Sequence, residues 1–140
     1  MYYQYFDADL GRPVVNEGED GLQKLDYALY KAEQEGIKLL ITFTNNWEAF
    51  GGMGQYVQWA KLAGENVSGH DDFYTNETIK GWYKDYIKTL LNHENVYTGV
   101  KYKDDPTIFS WELANEPRCE SDAGCENNTC LLYTSDAADE

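Results

Sequence analysis

The chain has 140 residues, the size of one ordinary domain, and 25 acidic residues against 11 basic ones give it a formal charge of −14. This balance argues against a nucleic-acid partner, which would need a basic patch, and against docking on anionic membranes. No apolar run reaches the roughly 18 residues of a membrane-spanning helix. The first residues also lack the basic start and apolar stretch of a signal peptide.

A helix followed directly by a buried strand is the first regular unit that the sequence predicts. Asp20 is the predicted N-cap, Gln23 completes a capping-box pattern, and Gly36 lies where a C-terminal cap is expected. One face of this helix is apolar at helical spacing. Its members are Leu22, Leu25, Leu29 and Ala32. Residues 37–43, "IKLLITF", form a nearly continuous apolar run, which is typical of a parallel strand covered on both faces.

The middle of the chain is less regular. Gly51 and Gly52 interrupt any helix, part of residues 55–62 is predicted to be helical, and "GENVSGHDD" is a predicted loop. A second amphipathic helix follows, with Thr75 as its predicted cap. Its inner face consists of Ile79, Tyr83, Tyr86, Ile87 and Leu90. After a connector, a strand begins at Ile108, so helices and strands alternate, which predicts βα units and a parallel sheet.

This last strand, "IFSWELANEPRC", begins apolar and ends polar. Alternation predicts one large apolar face, formed by Phe109, Trp111 and Leu113. The opposite face is narrow, which fits the inside of a closed barrel, and there Glu112 is expected to hold a neighbouring side chain in place. Glu116 falls at the carboxyl end of the strand, where β/α barrels carry their active sites, so it is a candidate general acid. The alternative interpretation is that Asn115, Glu116 and Pro117 form only a turn.

"TIFSWELANEPRC" together with "DGLQKLDYALYKAEQEGIKLLITFTNNWEAFGG" resembles glycoside hydrolase family 5, most closely its endo-β-1,4-mannanase branch. The Asn-Glu-Pro motif is shared by the wider clan, whereas "NNW", "FGG" and "WELANEPRC" are specific to this branch. The resemblance covers most of residues 18–119. It implies an α/β fold that is an incomplete fragment of a (β/α)8 (TIM) barrel. Residues 1–129 would hold part of the catalytic domain, about strands 3 and 4 with their flanking helices.

The resemblance also implies roles for individual residues. Glu116 matches the catalytic acid/base, Asn115 the residue that contacts the substrate's 2-hydroxyl, and Trp47 an aromatic of the substrate cleft. Arg118 is expected to be a structural partner. Family 5 enzymes retain the anomeric configuration, which requires two carboxylates about 5–5.5 Å apart. The second one, the nucleophile, ends the seventh strand in the family and is expected to be absent from this chain. The fragment alone is therefore expected to be inactive, and the resemblance implies neither a cofactor nor a metal.

Cys119 and Cys125 lie where this branch often has cysteines, so they are a candidate disulfide. With three N-glycosylation triplets in the sequence, they favour a secreted, extracellular protein. The expected partner is a mannan-type polysaccharide, and the full-length protein is expected to be monomeric. His70 precedes two aspartates, but a single histidine in a solvated loop is the preferred interpretation over a metal ligand.

Two other functions stay open at this point. One is an endo- or exo-β-glucanase of the same family, and the other is a non-catalytic carbohydrate-binding relative. Residues 130–140, "CLLYTSDAADE", continue no earlier pattern and resemble the translation of a sequencing adapter. They are interpreted as an adapter-derived tail and excluded from the fold, the alternative being a genuine polar tail.

Overall fold

The computed structural model describes residues 3–120. Its elements follow in chain order: strands β1 (Gln4–Asp7) and β2 (Arg12–Val15), helix α1 (Leu22–Gln34), strand β3 (Leu39–Thr42), helices α2 (Met53–Leu62), α3 (Asp72–Thr75) and α4 (Glu77–Asn92), and strand β4 (Ile108–Glu112). Single 3-10 turns occur at Ala49–Gly51 and Tyr102–Asp104. None of the helices within residues 3–120 is long and apolar enough to cross a membrane.

Strands β3 and β4 are neighbours in a parallel sheet, as the alternation of helices and strands predicts. The pairing continues beyond both strands as a parallel bridge between Asn45 and Asn115. The carboxyl ends of the two strands therefore lie side by side. Inside the sheet, the Thr42 hydroxyl of β3 donates a hydrogen bond to Glu112 Oε2 of β4 at 2.9 Å. Glu112 thus holds a neighbouring side chain, as predicted.

The core lies between this sheet and the helices. Every residue of the two predicted apolar helix faces is buried, from Leu22 at 0% exposure to Leu25 at 9%. Aromatic rings fill the space between α4 and the sheet: Phe43 stacks on Trp111 with ring centroids 4.9 Å apart and meets Tyr86 edge-on. Such ring pairs add directional contacts to the burial of apolar area.

A buried polar group joins α1 to the segment that follows α4. Asp26 is fully buried, and its Oδ1 accepts hydrogen bonds from the Tyr102 hydroxyl at 2.5 Å and from His93 Nε2 at 3.0 Å. Asn95 Nδ2 donates to the Asp26 carbonyl at 3.0 Å. Burial, and then the hydrogen bond to Asp26 and its charge, raise the pKa of Tyr102. The connector between α4 and β4 is therefore anchored by buried contacts.

Both predicted N-caps are wrong, and in each case the next residue takes the position. The N-cap of α1 is Gly21, and only glycine fits this position, because a Cβ atom there would lie 1.9 Å from the carbonyl oxygen of Asn16. The cap of α4 is Asn76, whose side chain accepts a hydrogen bond from Ile79 N at 3.0 Å. The predicted glycine at the C-terminal end is confirmed: Glu35 is the C-cap, Gly36 follows it with φ +67°, and Ile37 N donates a hydrogen bond to the Ala32 carbonyl.

Two features of the strands differ from the sequence interpretation. The register of β4 shifts against β3 between Leu39 and Leu40, so Ile108 packs with Trp111 on the helix side while Phe109 is 78% exposed. Strict alternation, which placed Phe109 on the buried face, fails because of this bulge. Leu40 is 51% exposed, so β3 is not covered on both faces within the described part of the chain.

The antiparallel hairpin of β1 and β2 was not predicted. Its turn carries a recognisable signal, because Asp7 Oδ1 accepts hydrogen bonds from the backbone N–H groups of Asp9 and Leu10, both at 3.0 Å. Gly11 then adopts φ +63°. Asp7 and Gly11 therefore mark the turn at which the chain reverses direction between β1 and β2.

Candidate active site

Two loops leave the same edge of the sheet and lie against each other. We call residues 43–52, which follow β3, the first site loop, and residues 113–120, which follow β4, the second site loop. They are joined by backbone hydrogen bonds from Asn115 N to the Thr44 carbonyl at 2.9 Å and from Asn46 N to the Asn115 carbonyl at 3.0 Å. The parallel pairing thus brings Trp47, in the first loop, next to Asn115 and Glu116 in the second.

The Glu116 carboxylate is held by two side chains. Its Oε2 accepts a hydrogen bond from the Trp47 indole N–H at 2.6 Å, and the Arg118 guanidinium lies 3.6 Å from the same oxygen. The guanidinium also lies over the Trp47 ring, 4.9 Å from its centroid. The Glu116 side chain is 54% exposed, so the carboxylate is both oriented by the protein and open to solvent.

The backbone of Glu116 is left-handed, with φ +49°. This conformation costs a residue with a Cβ atom about 1–2 kcal/mol, so it persists only where surrounding contacts fix it. Here the fixing contacts are the backbone bonds of Asn115 on one side and a hydrogen bond from Arg118 N to Asn46 Oδ1, at 3.1 Å, on the other. Backbone strain of this kind concentrates at functional sites. In this conformation the Glu116 side chain points toward the Trp47 indole.

Asn45 orients the Asn115 side chain, and the sequence interpretation did not single it out. Asn115 Nδ2 donates to Asn45 Oδ1 at 3.0 Å, and the backbone N–H of Trp47 donates to the same oxygen at 3.3 Å. Asn45 Nδ2 in turn donates to the Ala49 carbonyl at 3.3 Å. The Asn45 side chain therefore fixes both the orientation of the Asn115 amide and the position of the Trp47 backbone N–H. The signal that could have found it is the pair of asparagines directly before Trp47.

Gly52 lets the first site loop close onto helix α2. A Cβ atom at Gly52 would lie 2.0 Å from the Trp47 carbonyl oxygen and 2.3 Å from the Asn45 carbonyl oxygen. The latter oxygen accepts a hydrogen bond from Met53 N, at the start of α2, at 2.8 Å. The predicted interruption of helix at Gly51 and Gly52 is confirmed, and its physical reason is this close approach of backbone to backbone.

His70 lies in the predicted loop, but its side chain is shielded from solvent, so the interpretation of a solvated histidine is wrong. Its side chain is only 11% exposed, because it packs beneath the first site loop. His70 Nε2 donates a hydrogen bond to the Asn46 carbonyl at 3.1 Å, and Nδ1 lies 3.2 Å from Asp71 Oδ1. Within residues 3–120, no group of three or more His, Cys, Asp or Glu side chains has the arrangement of a metal site.

A cavity of about 400 Å³ opens beside the two loops. Asn115, Asn45 and Thr44 supply polar groups to its wall, and most of the remaining wall is aromatic. The aromatic members are Tyr3, Phe43, Phe50, Tyr56, Trp59 and Tyr86. Among the residues that line the cavity are Asn45 and Asn115 but neither Trp47 nor Glu116, so the cavity adjoins the carboxylate and does not contain it.

The candidate disulfide is only partly described. Cys119 is half-buried and packs against the hydrophobic core that includes Phe43, Met53 and Tyr74. Cys125 lies outside the described residues, so the pairing stays a prediction. The interpreted adapter tail, residues 130–140, also lies outside them.

Comparison with known proteins gives a consistent result. Residues 14–136 match the family model described as GH family 5 β-mannosidase-like. The chain is 54% identical over 114 residues to mannan endo-1,4-β-mannosidase 3 of Arabidopsis thaliana, covering 81% of this chain and 28% of that protein. It is 47% identical over 107 residues to mannan endo-1,4-β-mannosidase 1 of Oryza sativa subsp. japonica, covering 76% of this chain and 25% of that protein. The chain thus spans about a quarter of the length of these relatives.

Solved structures show the same relationship. The endo-1,4-β-mannanase from Rhizomucor miehei superposes with a TM-score of 0.77 at 46% identity, covering 89% of this chain and 34% of that one. The endo-β-1,4-mannanase from Thermotoga petrophila gives a TM-score of 0.75 at 46% identity, with 89% and 27% coverage. The described strands and helices are therefore an incomplete part of a (β/α)8 barrel. By its family model and its relatives, the chain belongs to glycoside hydrolase family 5, in the β-mannosidase-like group.

Proposed function

We propose that the full-length protein carrying this chain is a retaining, endo-acting glycoside hydrolase that cleaves β-1,4-mannosidic bonds in mannans. The observation that carries the proposal is the Glu116 carboxylate, which stands at the end of a parallel barrel strand and is held by Trp47 and Arg118 beside Asn115. The names of the relatives, which are mannan endo-1,4-β-mannosidases, support the choice of substrate.

In this proposal Glu116 is the acid/base of a double displacement. It first donates a proton to the leaving glycosidic oxygen, while a second carboxylate attacks the anomeric carbon and forms a covalent glycosyl-enzyme. It then accepts a proton from the water that hydrolyses this intermediate. The attacking carboxylate would come from a strand outside this chain. Two carboxylates suffice for this chemistry, so the proposal needs neither a metal nor a cofactor.

The neighbouring residues would bind and orient the sugar. Asn115, fixed by Asn45, would contact the 2-hydroxyl of the reacting sugar. Trp47 is 46% exposed, so part of its indole face is available to stack on the apolar face of a pyranose. Arg118 would act mainly through Glu116 and Trp47, which it contacts.

The remaining features of the proposal concern the whole protein. Its partner would be a mannan-type polysaccharide, which is neutral, and the acidic charge of −14 does not oppose its binding. We also propose that the full-length protein is secreted and monomeric, with Cys119 and Cys125 paired. The cysteine pair and the N-glycosylation triplets support an extracellular location.

The test is the variant Glu116→Gln in the full-length protein. Because glutamine cannot transfer the proton, turnover of mannan should fall by about 10²- to 10⁴-fold while binding of mannan oligosaccharides is kept. Glu120→Gln is the matched control, because Glu120 is exposed in the same loop and its backbone N–H, which donates to Asp71, is kept in the variant. Its turnover should stay close to that of the parent.

Three outcomes separate the alternatives. Turnover of β-glucan but not of mannan would replace the mannanase assignment by that of a β-glucanase. Binding of oligosaccharides without turnover in the parent protein would indicate a non-catalytic binding protein. Full mannan turnover in Glu116→Gln would refute the role of Glu116.

A further inference from the structure

One segment contacts both site loops, and no pattern in the sequence predicts this arrangement. This segment, residues 68–74, joins the loop after α2 to helix α3 and is here called the brace. His70 of the brace donates to the Asn46 carbonyl of the first site loop at 3.1 Å. Asp71 Oδ1 accepts a hydrogen bond from Glu120 N of the second site loop at 2.8 Å. Adjacent brace residues therefore hold the two loops that carry Trp47 and Glu116.

Asn46 links these contacts to the catalytic position. It is 3% exposed, and its Oδ1 accepts the hydrogen bond from Arg118 N at 3.1 Å. The contact from His70 fixes the backbone of Asn46, and Asn46 in turn fixes the backbone two residues beyond Glu116. The hydroxyl of Tyr74, also in the brace, lies 3.4 Å from the Arg118 carbonyl and 3.2 Å from Met53 Sδ, and shares its proton between these two acceptors.

The brace is itself held rigidly at its start. Asp72 Oδ2 accepts hydrogen bonds from the backbone N–H of Ser68 at 2.5 Å, from its hydroxyl at 3.2 Å, and from Gly69 N at 2.8 Å. Burial alone would raise the pKa of Asp72, but these donors outweigh it and lower the pKa. The turn directly before His70 is thus closed by contacts within the brace itself.

We propose that His70 and Asp71 are positioning residues for the reaction: together they clamp the first and second site loops so that Trp47 Nε1 stays within hydrogen-bond distance of Glu116. This inference rests on the proposed glycosidase function. Neither residue touches the site of bond cleavage; they act through Asn46 and through the backbone of residues 118–120. A displacement of about 1 Å at a reacting group can reduce the rate about 100-fold.

Two substitutions at His70 separate the two contacts that its ring makes. Glutamine can place its amide nitrogen where Nε2 lies and keep the donor to Asn46, whereas asparagine can only replace Nδ1, which faces Asp71. In the full-length protein, His70→Gln should stay within about threefold of the parent in kcat. His70→Asn should lose about 10- to 100-fold in kcat, because Glu116 is misplaced in the chemical step, with a smaller rise in KM from the displaced Trp47. Thermal unfolding of both variants gives the control for stability.

Hydrogen exchange of backbone amides gives a readout that needs no activity. Arg118 N–H should exchange about fivefold faster in His70→Asn than in His70→Gln, the factor for losing about one ordinary hydrogen bond. The amide of Ile79, bound to the cap of α4, should exchange equally in both variants. Asp71→Ala should have the corresponding effect on Glu120 N–H.

The outcomes are distinct. Equal kcat in the two His70 variants, or loss of kcat that only follows loss of folded protein, overturns the proposal, as does unchanged exchange at Arg118. If the parent does not hydrolyse mannan but the exchange rates change as expected, the proposed function fails and the clamp remains. If the parent is active and neither kcat nor exchange changes, the clamp fails and the function remains.

Discussion

Replacement of Trp47 by phenylalanine is the sharpest test of the site geometry. Phenylalanine keeps an aromatic face for Arg118 and for a sugar ring, but it removes the N–H group that donates to Glu116 Oε2 at 2.6 Å. The hydrogen bond to the carboxylate is lost completely, whereas an aromatic face, smaller than that of indole, remains. The variant thus separates the two roles of Trp47, stacking on the sugar and holding Glu116.

The expected magnitude follows from the exposure of the two side chains. A hydrogen bond to a charged group contributes about 1.5–3 kcal/mol when it is shielded from water. Trp47 is 46% exposed and the Glu116 side chain 54%, so solvent competes and we expect about 1–2 kcal/mol. At 1.36 kcal/mol per factor of ten, this corresponds to a loss of about 5- to 30-fold in kcat/KM.

The assay is steady-state hydrolysis of β-1,4-mannan oligosaccharides by the full-length protein. Trp82→Phe is the matched control, because it removes the same indole N–H from the half-buried Trp82 of helix α4, outside both site loops. The control should keep the parent's kcat/KM. If Trp47→Phe is as active as the parent, or if both variants lose activity equally, the hydrogen bond to Glu116 does not orient the acid/base and the reasoning is refuted.

Three further predictions concern stability and are measured on the folded protein by urea or thermal unfolding. Gly52→Ala should destabilise by about 2 kcal/mol or more through backbone overlap, whereas Gly54→Ala, whose added Cβ meets its nearest atom only at 4.0 Å, should be neutral or stabilising; equal effects would contradict this packing. Asn76→Ala should cost about 1 kcal/mol by removing the cap from Ile79 N, and Asn76→Asp should restore it. Burial raises the pKa values of Tyr102, Tyr56, Tyr83 and Tyr86, so their contribution to the free energy of unfolding is complete below pH ~10, the pKa of an unfolded tyrosine, and should be lost as the pH rises further; stability that is flat up to pH 11 would count against their burial.

Local periodicity was sufficient for the main elements. The apolar residues of α1 and α4 recur at helical spacing, and every one of them is buried as predicted. The strand that starts at Ile108 and its parallel pairing with β3 also follow from local composition and from the alternation of helices and strands. The exact residue at which each helix begins was less predictable. Asp20 and Thr75 can cap a helix as well as the residues that take the cap positions, so packing decides between them.

The sequence by itself determined the family, the βα order, and the placement of Asn115 and Glu116 at the end of a parallel strand, because these depend on short motifs and local repeats. Tertiary structure alone decided which side chains meet. The Trp47–Glu116 hydrogen bond joins residues 69 positions apart, and His70 reaches the Asn46 carbonyl across 24 positions. The bulge that exposes Phe109 is likewise a property of two paired strands and not of either alone. Contacts of this kind depend on how distant segments pack, and no pattern within one segment encodes that geometry.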